Sequence, residues 1–171
     1  MKRVILFGAL LFSTAVFSQS LDLTNEPTIG QGQLMFLCDS FANTYDGING
    51  TGVTWDYSAL AKYDGITRSV TIEDATIDAN ASFYPTSVKT IVVENTLTTF
   101  FNSDASGRVS QGFVFTEASF GDLVAAFDVD EETLVSYPFA LGSYLSDTYD
   151  GDLTFTFNGV QQNPTAAGNA Y

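Results

Sequence analysis

The chain has no histidine and one cysteine in 171 residues, and its positive charge is thin: 6 lysines and arginines stand against 20 acidic residues. Each shortage excludes something. Without histidine there is no Ser-His-Asp or Cys-His catalysis, and the commonest transition-metal ligand is missing. One cysteine and no histidine leave no structural zinc site and no intrachain disulfide, so the fold must hold by packing alone. Cys38 sits in the apolar setting MFLCDS, which fits a buried, inert thiol. No GxGxxG or GxxxxGKS/T pattern supports nucleotide binding. A net charge of −14 repels phosphate backbones and anionic lipid heads, which argues against nucleic-acid and peripheral-membrane partners. No window of a dozen residues carries an apolar stripe at helical spacing.

What is present begins with an export signal. Lys2 and Arg3 precede the apolar run Val4 to Phe12, and Val16 and Ser18 satisfy the small-residue rule at a cleavage site between Ser18 and Gln19. The run is shorter than the ~20 residues a membrane span requires, and no stop-transfer signal follows it. Removing this eighteen-residue leader from 171 residues leaves 153, and the basic count falls from 6 to 4, so the mature net charge is −16. That length is one domain's worth of chain. A hydrophobic fraction of 45% with 15 Phe and 8 Tyr rules out disorder as the reason for the acidity, which fits solubility outside the cell.

The mature chain reads as strands. Residues 19–33 form a polar lead-in over the surface, and residues 34–171 form a single β domain. Leu153, Phe155 and Phe157 alternate with Thr154, Thr156 and Asn158, the period of a strand with one wet face. Asp150-Gly151 and Asn158-Gly159 are expected as the turns that bracket it. Further strands are expected near 34–37, 51–58, 67–73, 87–94, 96–101, 108–116, 123–129 and 133–139. Tyr63-Asp64-Gly65 reads as a turn, residues 39–52 as a loop, Ser58 to Lys62 as one helical turn, and 74–85 as a polar connection. Residues 96–116 form a hairpin, and a second is expected across the charged turn Asp130-Glu131-Glu132, with Leu123, Ala125, Phe127 and Val129 on one face. Short strands with Gly- and Asp-rich turns predict an all-β fold: an antiparallel β-sandwich or jelly-roll-like domain, with an open meander or barrel as the alternative.

Carboxylates are the abundant reactive groups, in two clusters: Asp128-Val-Asp130-Glu131-Glu132 and Asp147-Thr-Tyr-Asp150-Gly-Asp152. Neither fits the EF-hand loop. Oxygen ligands in a Gly-containing loop make Asp147, Asp150 and Asp152 the positions to test for calcium, against the alternative of a solvated turn. A glycosidase-type carboxylate pair is made by the fold and is not legible from spacing. Trp55, Tyr57, Tyr63 and Tyr149 are candidates for stacking on sugar rings, although alternating aromatics more often face a core. No catalytic, cofactor or metal residue is assigned.

The segments NEPTIGQGQLMFLCDS, GTGVTWDYS, GRVSQGFVFTEASFGDLVAAFD and YPFALGS resemble the N-terminal region of secreted proteins of Bacteroidetes-type bacteria exported by the type IX secretion system. The resemblance covers nearly all of the mature chain, and no catalytic motif carries it. It implies an extracellular or cell-surface protein whose partners are the secretion machinery and, at the surface, other proteins or glycans. It further implies that the chain is the N-terminal part of a longer protein ending in a β-rich sorting domain. Because the class is bacterial, the N-glycosylation patterns at Asn49-Gly50-Thr51 and Asn80-Ala81-Ser82 are chance matches.

Overall fold

The computed structural model describes residues 20–38, 62–118, 121–140 and 142–170, with the side chains of 37–38 and 62–66 left out. The expected loop at 39–52, the strand at 51–58 and the helical turn begun at Ser58 lie outside the described residues. Among the described residues twelve strands follow in chain order: β1 (Ser20–Leu21), β2 (Gly32–Cys38), β3 (Lys62–Asp74), β4 (Lys89–Val93), β5 (Leu97–Asp104), β6 (Gly107–Glu117), β7 (Gly121–Asp130), β8 (Glu132–Ser136), β9 (Phe139–Ala140), β10 (Asp147–Phe157), β11 (Val160–Gln162) and β12 (Thr165–Ala170). Every pairing is antiparallel. The fold is therefore all-β, antiparallel and sandwich-like, as the alternating sequence predicts. Among the described residues no helix is long and apolar enough to cross a membrane.

The main sheet runs β11-β10-β7-β6-β5-β4-β3-β2, so neighbours in space are almost everywhere neighbours in sequence. Within the all-β class this is meander connectivity, with short turns joining β4 to β5, β5 to β6 and β10 to β11. The β5–β6 hairpin falls where the sequence places it, closing at Asp104 and Gly107. The β10–β11 hairpin closes through Asn158-Gly159, with Phe157 opposite Val160. Both turn residues have positive φ, 50° and 75°. Two positive φ angles in a two-residue loop make a type I′ turn, whose twist suits a hairpin and which Asn-Gly adopts readily. β10 is not left as a sheet edge: β11 covers residues 155–157 and β12 covers 147–152.

Four expectations are corrected. Tyr63-Asp64-Gly65 and Asp150-Gly151 do not turn; they lie inside β3 and β10. A local Asp-Gly signal yields where both flanks find ladder partners. Asp130-Glu131-Glu132 is not a hairpin either. β7 runs along β6 from Gly121 opposite Glu117 to Ala126 opposite Gly112, and β8 continues in the same direction, from Glu132 opposite Ser110 to Ser136 opposite Gly107. Residues 127–131 bulge out of that line, and Val129 is 74% exposed instead of inward. Finally, the polar connection at 74–85 supplies core. It forms 3₁₀ turns at Ala75–Ile77 and Ala81–Phe83, the first capped by Asp74, whose carboxylate accepts from the Thr76 backbone N–H at 2.9 Å and hydroxyl at 2.7 Å. These hydrogen bonds hold the Asp74 carboxyl below its usual range.

Both faces of the sheet are sealed at β5, where Phe100 and Phe101 are consecutive and each 0% exposed. On one face Tyr84, carried in by the 74–85 connection, stacks on Phe100 at 3.9 Å between ring centroids, and Ala75, Val114 and Val124 complete the cluster. The Tyr84 hydroxyl lies 2.8 Å from the Phe113 carbonyl and 2.9 Å from that of Ala125, and donates its one proton between them. Burial, with the negative charge of Asp78 added, pushes this phenol well above its ordinary value and keeps it a donor. On the other face Phe101 lies under the side chains of Arg108 and Lys89.

Candidate functional site

The two acidic clusters become one seam. Antiparallel pairing of β7 with β10 sets Asp130 opposite Asp150, Ala126 opposite Asp152 and Ala125 opposite Leu153. The register shift between Asp150 and Asp152 leaves residues 127–129 facing Gly151 alone. A Cβ on Gly151 would sit 1.9 Å from the Ala126 carbonyl oxygen, so the glycine marks a close approach of two backbones and not a turn. Like charges directly opposite each other oppose pairing. The seam manages this with hydroxyl and amide donors: the Thr148 hydroxyl donates to Asp130 at 2.6 Å, and the Thr133 backbone N–H donates to Asp147.

Glu132 and Asp147 are pushed in opposite directions. Burial, with the charge of Asp147 added, raises the Glu132 carboxyl above its ordinary value. For Asp147 burial also works upward, but hydrogen bonds from Thr133 and from the Thr148 backbone outweigh it, and the carboxyl stays below the usual range. Paired carboxylates driven apart in this way are the pattern of an acid and a base. Here, however, the groove nearest to them does not include them. The groove of about 560 Å³ over this part of the sheet is lined by Val129, Asp130, Thr148, Tyr149, Asp150, Ala167, Gly168 and Asn169, and neither Glu132 nor Asp147 borders it.

The opposite shifts have opposite consequences for stability. Glu132 binds its proton more tightly in the folded state, so its ionisation weakens the fold as pH rises through its range. Glu132→Gln is expected to be more stable than the natural chain at pH 7 and to lose that gain below about pH 4. Asp147 is held ionised by the fold, so its contribution is present above its unfolded value and lost as pH falls through the lowered one. Asp147→Asn is expected to be less stable at pH 7, and the difference is expected to shrink as pH falls below the usual carboxylate range and through the lowered value. Urea unfolding of both variants across this range tests the pair of signs.

The three aspartates named for calcium do not converge. Asp147 is engaged by β8 through Thr133, Asp150 stands opposite Asp130, and Asp152 is exposed one register step further on. Among the described residues no group of three carboxylates is placed to hold a metal ion. The reason is the lost turn: a calcium loop wraps six to eight oxygens around the ion, and a strand spends its carbonyls on the ladder. Of the aromatic candidates, Trp55 and Tyr57 lie outside the described residues, and Tyr63 is in β3 with its side chain undescribed. Tyr149 is not an open platform. Its ring packs on Phe127 at 4.7 Å and lies across Gly168 of β12, directly opposite it.

A second constellation was missed by the sequence reading. Glu26, in the lead-in, has a side chain only 5% exposed. Arg108 contacts its Oε1 through Nε at 3.0 Å and through its terminal nitrogen at 2.9 Å. The Tyr137 hydroxyl donates to the same oxygen, and the Ser103 hydroxyl donates to Oε2 at 2.7 Å. Lys89 stands 4.0 Å from Oε2 and donates to the Pro27 carbonyl at 2.9 Å. Two of the chain's six lysines and arginines are gathered here. The available signal was that Lys89 and Arg108 each stand at the start of a β-rich run, where a covered charge needs a partner. Nearby, buried Gln111 is satisfied at both ends: its carbonyl accepts from Ser87, and its amide donates to Thr86 and, at 2.8 Å, to Glu131.

Comparison with protein-family models, with curated proteins and with solved structures finds no match.

Proposed function

We propose that this chain is a secreted or cell-surface bacterial β-module with a structural, display or adhesion role and no catalysis of its own. The observation that carries the reading is the doubly sealed sheet. The centre is closed on both faces by the chain's own segments, so what the described residues offer outward is turns, edges and open grooves around a rigid scaffold. The leader sequence and the acidic surface support delivery outside the cell, and the resemblance described above supports the type IX route as part of a longer chain.

The alternative is a carbohydrate-binding module or part of a carbohydrate-active hydrolase. Two measurements separate the readings. A glycan array of the mature chain is expected to give no signal that Trp55→Ala abolishes. Chromogenic glycosides are expected to show no turnover above buffer. A glycan signal lost in Trp55→Ala sinks the display reading in favour of sugar binding, and turnover lost in Glu132→Gln sinks it in favour of a hydrolase.

A further inference from the structure

We propose that Arg108, Lys89, Ser103 and Tyr137 form a carboxylate-binding site that the chain fills with its own Glu26, making residues 20–31 a strap latched over the sheet and released as a unit. The inference does not rest on the display role.

The chemistry of the pocket is that of a carboxylate receptor. Arg108 meets one carboxylate oxygen with two nitrogens, and two hydroxyls, from β5 and from the segment after β8, donate to the oxygens. Hydrogen bonds from charged donors to a carboxylate are the strong ones. The site carries two cations for one anion, so it stays positive without its occupant in a chain of net charge −14. Below it the Phe101 ring lies 5.2 Å from the Arg108 guanidinium carbon and 6.0 Å from the Lys89 nitrogen, which fixes both cations over an aromatic face. The floor belongs to the sheet and not to the strap: Lys89, Phe101 and Arg108 lie on β4, β5 and β6.

The strap itself adheres by polar contacts. Its large apolar side chains are none of them buried: Leu21, Leu23 and Ile29 are 38%, 44% and 50% exposed. Its backbone bonds to β3, Gly30 N–H to the Ile72 carbonyl and Ile72 N–H to the Gln31 carbonyl, both 2.8 Å, sit at its base, where it joins β2. At its far end β1 makes only a two-residue ladder with β9. Between these ends the seating is Glu26, with the Lys89 bond to the Pro27 carbonyl beside it. A segment that buries little apolar surface belongs to the low-stability end of a fold and opens locally.

The test uses the full mature chain. Glu26→Ala removes the carboxylate and leaves room for acetate, which matches the deleted atoms. By hydrogen exchange and mass spectrometry, exchange in 22–31 is expected to rise at least ~10-fold while 97–117 changes less than ~2-fold. In thermal unfolding, ~100 mM sodium acetate is expected to raise the Tm of Glu26→Ala by about 2 °C or more over equal sodium chloride, and to leave the natural chain unchanged. Exchange rising equally in 97–117 would show that Glu26 belongs to the general core and overturn the strap. Acetate acting no better than chloride would overturn the carboxylate site. Should Glu26→Ala fail to fold, Tyr137→Phe removes one donor and is expected to raise exchange in 22–31 by a few-fold alone; no change there overturns the latch.

Discussion

Phe100→Ala is expected to lower the unfolding free energy by about 3–5 kcal/mol, among the largest effects of any single substitution in this domain. The ring is fully buried, stacked on Tyr84 with 16° between planes, and set opposite Thr90 on β4 and Gly112 on β6. Truncation removes the transfer energy of the ring and leaves a cavity that the sheet is ill placed to close. β4, β5 and β6 are held apart by their own ladders, and Tyr84 is pinned by its hydroxyl to the Phe113 and Ala125 carbonyls. Collapse would break that bond. For a domain of this size the loss corresponds to roughly 6–20 °C in Tm. Phe157→Ala is the control, since that ring is 60% exposed beside the β10–β11 turn, and it is expected to change stability by less than ~1 kcal/mol. Urea denaturation with an unchanged slope for both variants checks the result; equal losses would show that the burial difference between the two rings does not govern stability.

The strands were legible in the sequence wherever side chains alternate. In β10 the alternation of Leu153, Phe155 and Phe157 marks the strand but not a buried face, since Leu153, Thr154 and Phe155 are all half-buried and Phe157 is exposed; Asn158-Gly159 turns because those residue types tolerate positive φ. The two Asp-Gly pairs at 64–65 and 150–151 mislead because glycine answers two different demands. It permits tight turns, and it also permits backbones to approach. At Gly151 the second demand rules, and it is set by β7, more than twenty residues away in sequence. The straight passage from β7 into β8 was hidden for a similar reason. Asp130-Glu131-Glu132 has the composition of a turn, but Glu131 is tied back to Gln111 on β6, and β8 takes up the ladder on the far side of the bulge.

The acidic clusters were visible as composition and invisible as geometry. Nothing local says that Asp130 and Asp150 face each other, because the register follows from how the β7–β10 ladder passes the bulge. Glu26 was harder still, one acidic residue among 20 in a polar stretch. Its partners were the readable half. Lys89 in SVKTIVV and Arg108 in GRVSQGF each put a charge among strand-forming residues, in a chain with few cations to spare. In such a sequence an intrastrand cation is the clue to a buried acid elsewhere, and only the fold supplies its address.

Gly112→Ala is expected to be as damaging as the loss of Phe100, about 3–5 kcal/mol, for a different reason. The residue lies inside β6 with φ at 131°, a sparsely populated conformation that costs a residue with a Cβ about 1–3 kcal/mol. The added methyl carbon would also stand 1.9 Å from the Ala125 carbonyl oxygen and 2.8 Å from the Tyr84 ring. Neither neighbour yields cheaply. The carbonyl belongs to the β6–β7 ladder and accepts from Tyr84, while the Tyr84 ring is held against Phe100. Relief therefore requires the strands to part or the tyrosine to leave the core. Gly159→Ala separates the two contributions. Its φ is also positive, 75°, but nothing lies within 4 Å of the new carbon. That variant is expected to lose only the conformational share, about 1–2 kcal/mol. Thermal and urea unfolding of the two variants side by side measures the difference. A Gly112→Ala loss no greater than that of Gly159→Ala would mean that β6 and β7 can separate freely at this point, and that the Tyr84–Phe100–Gly112 contact does not organise the core.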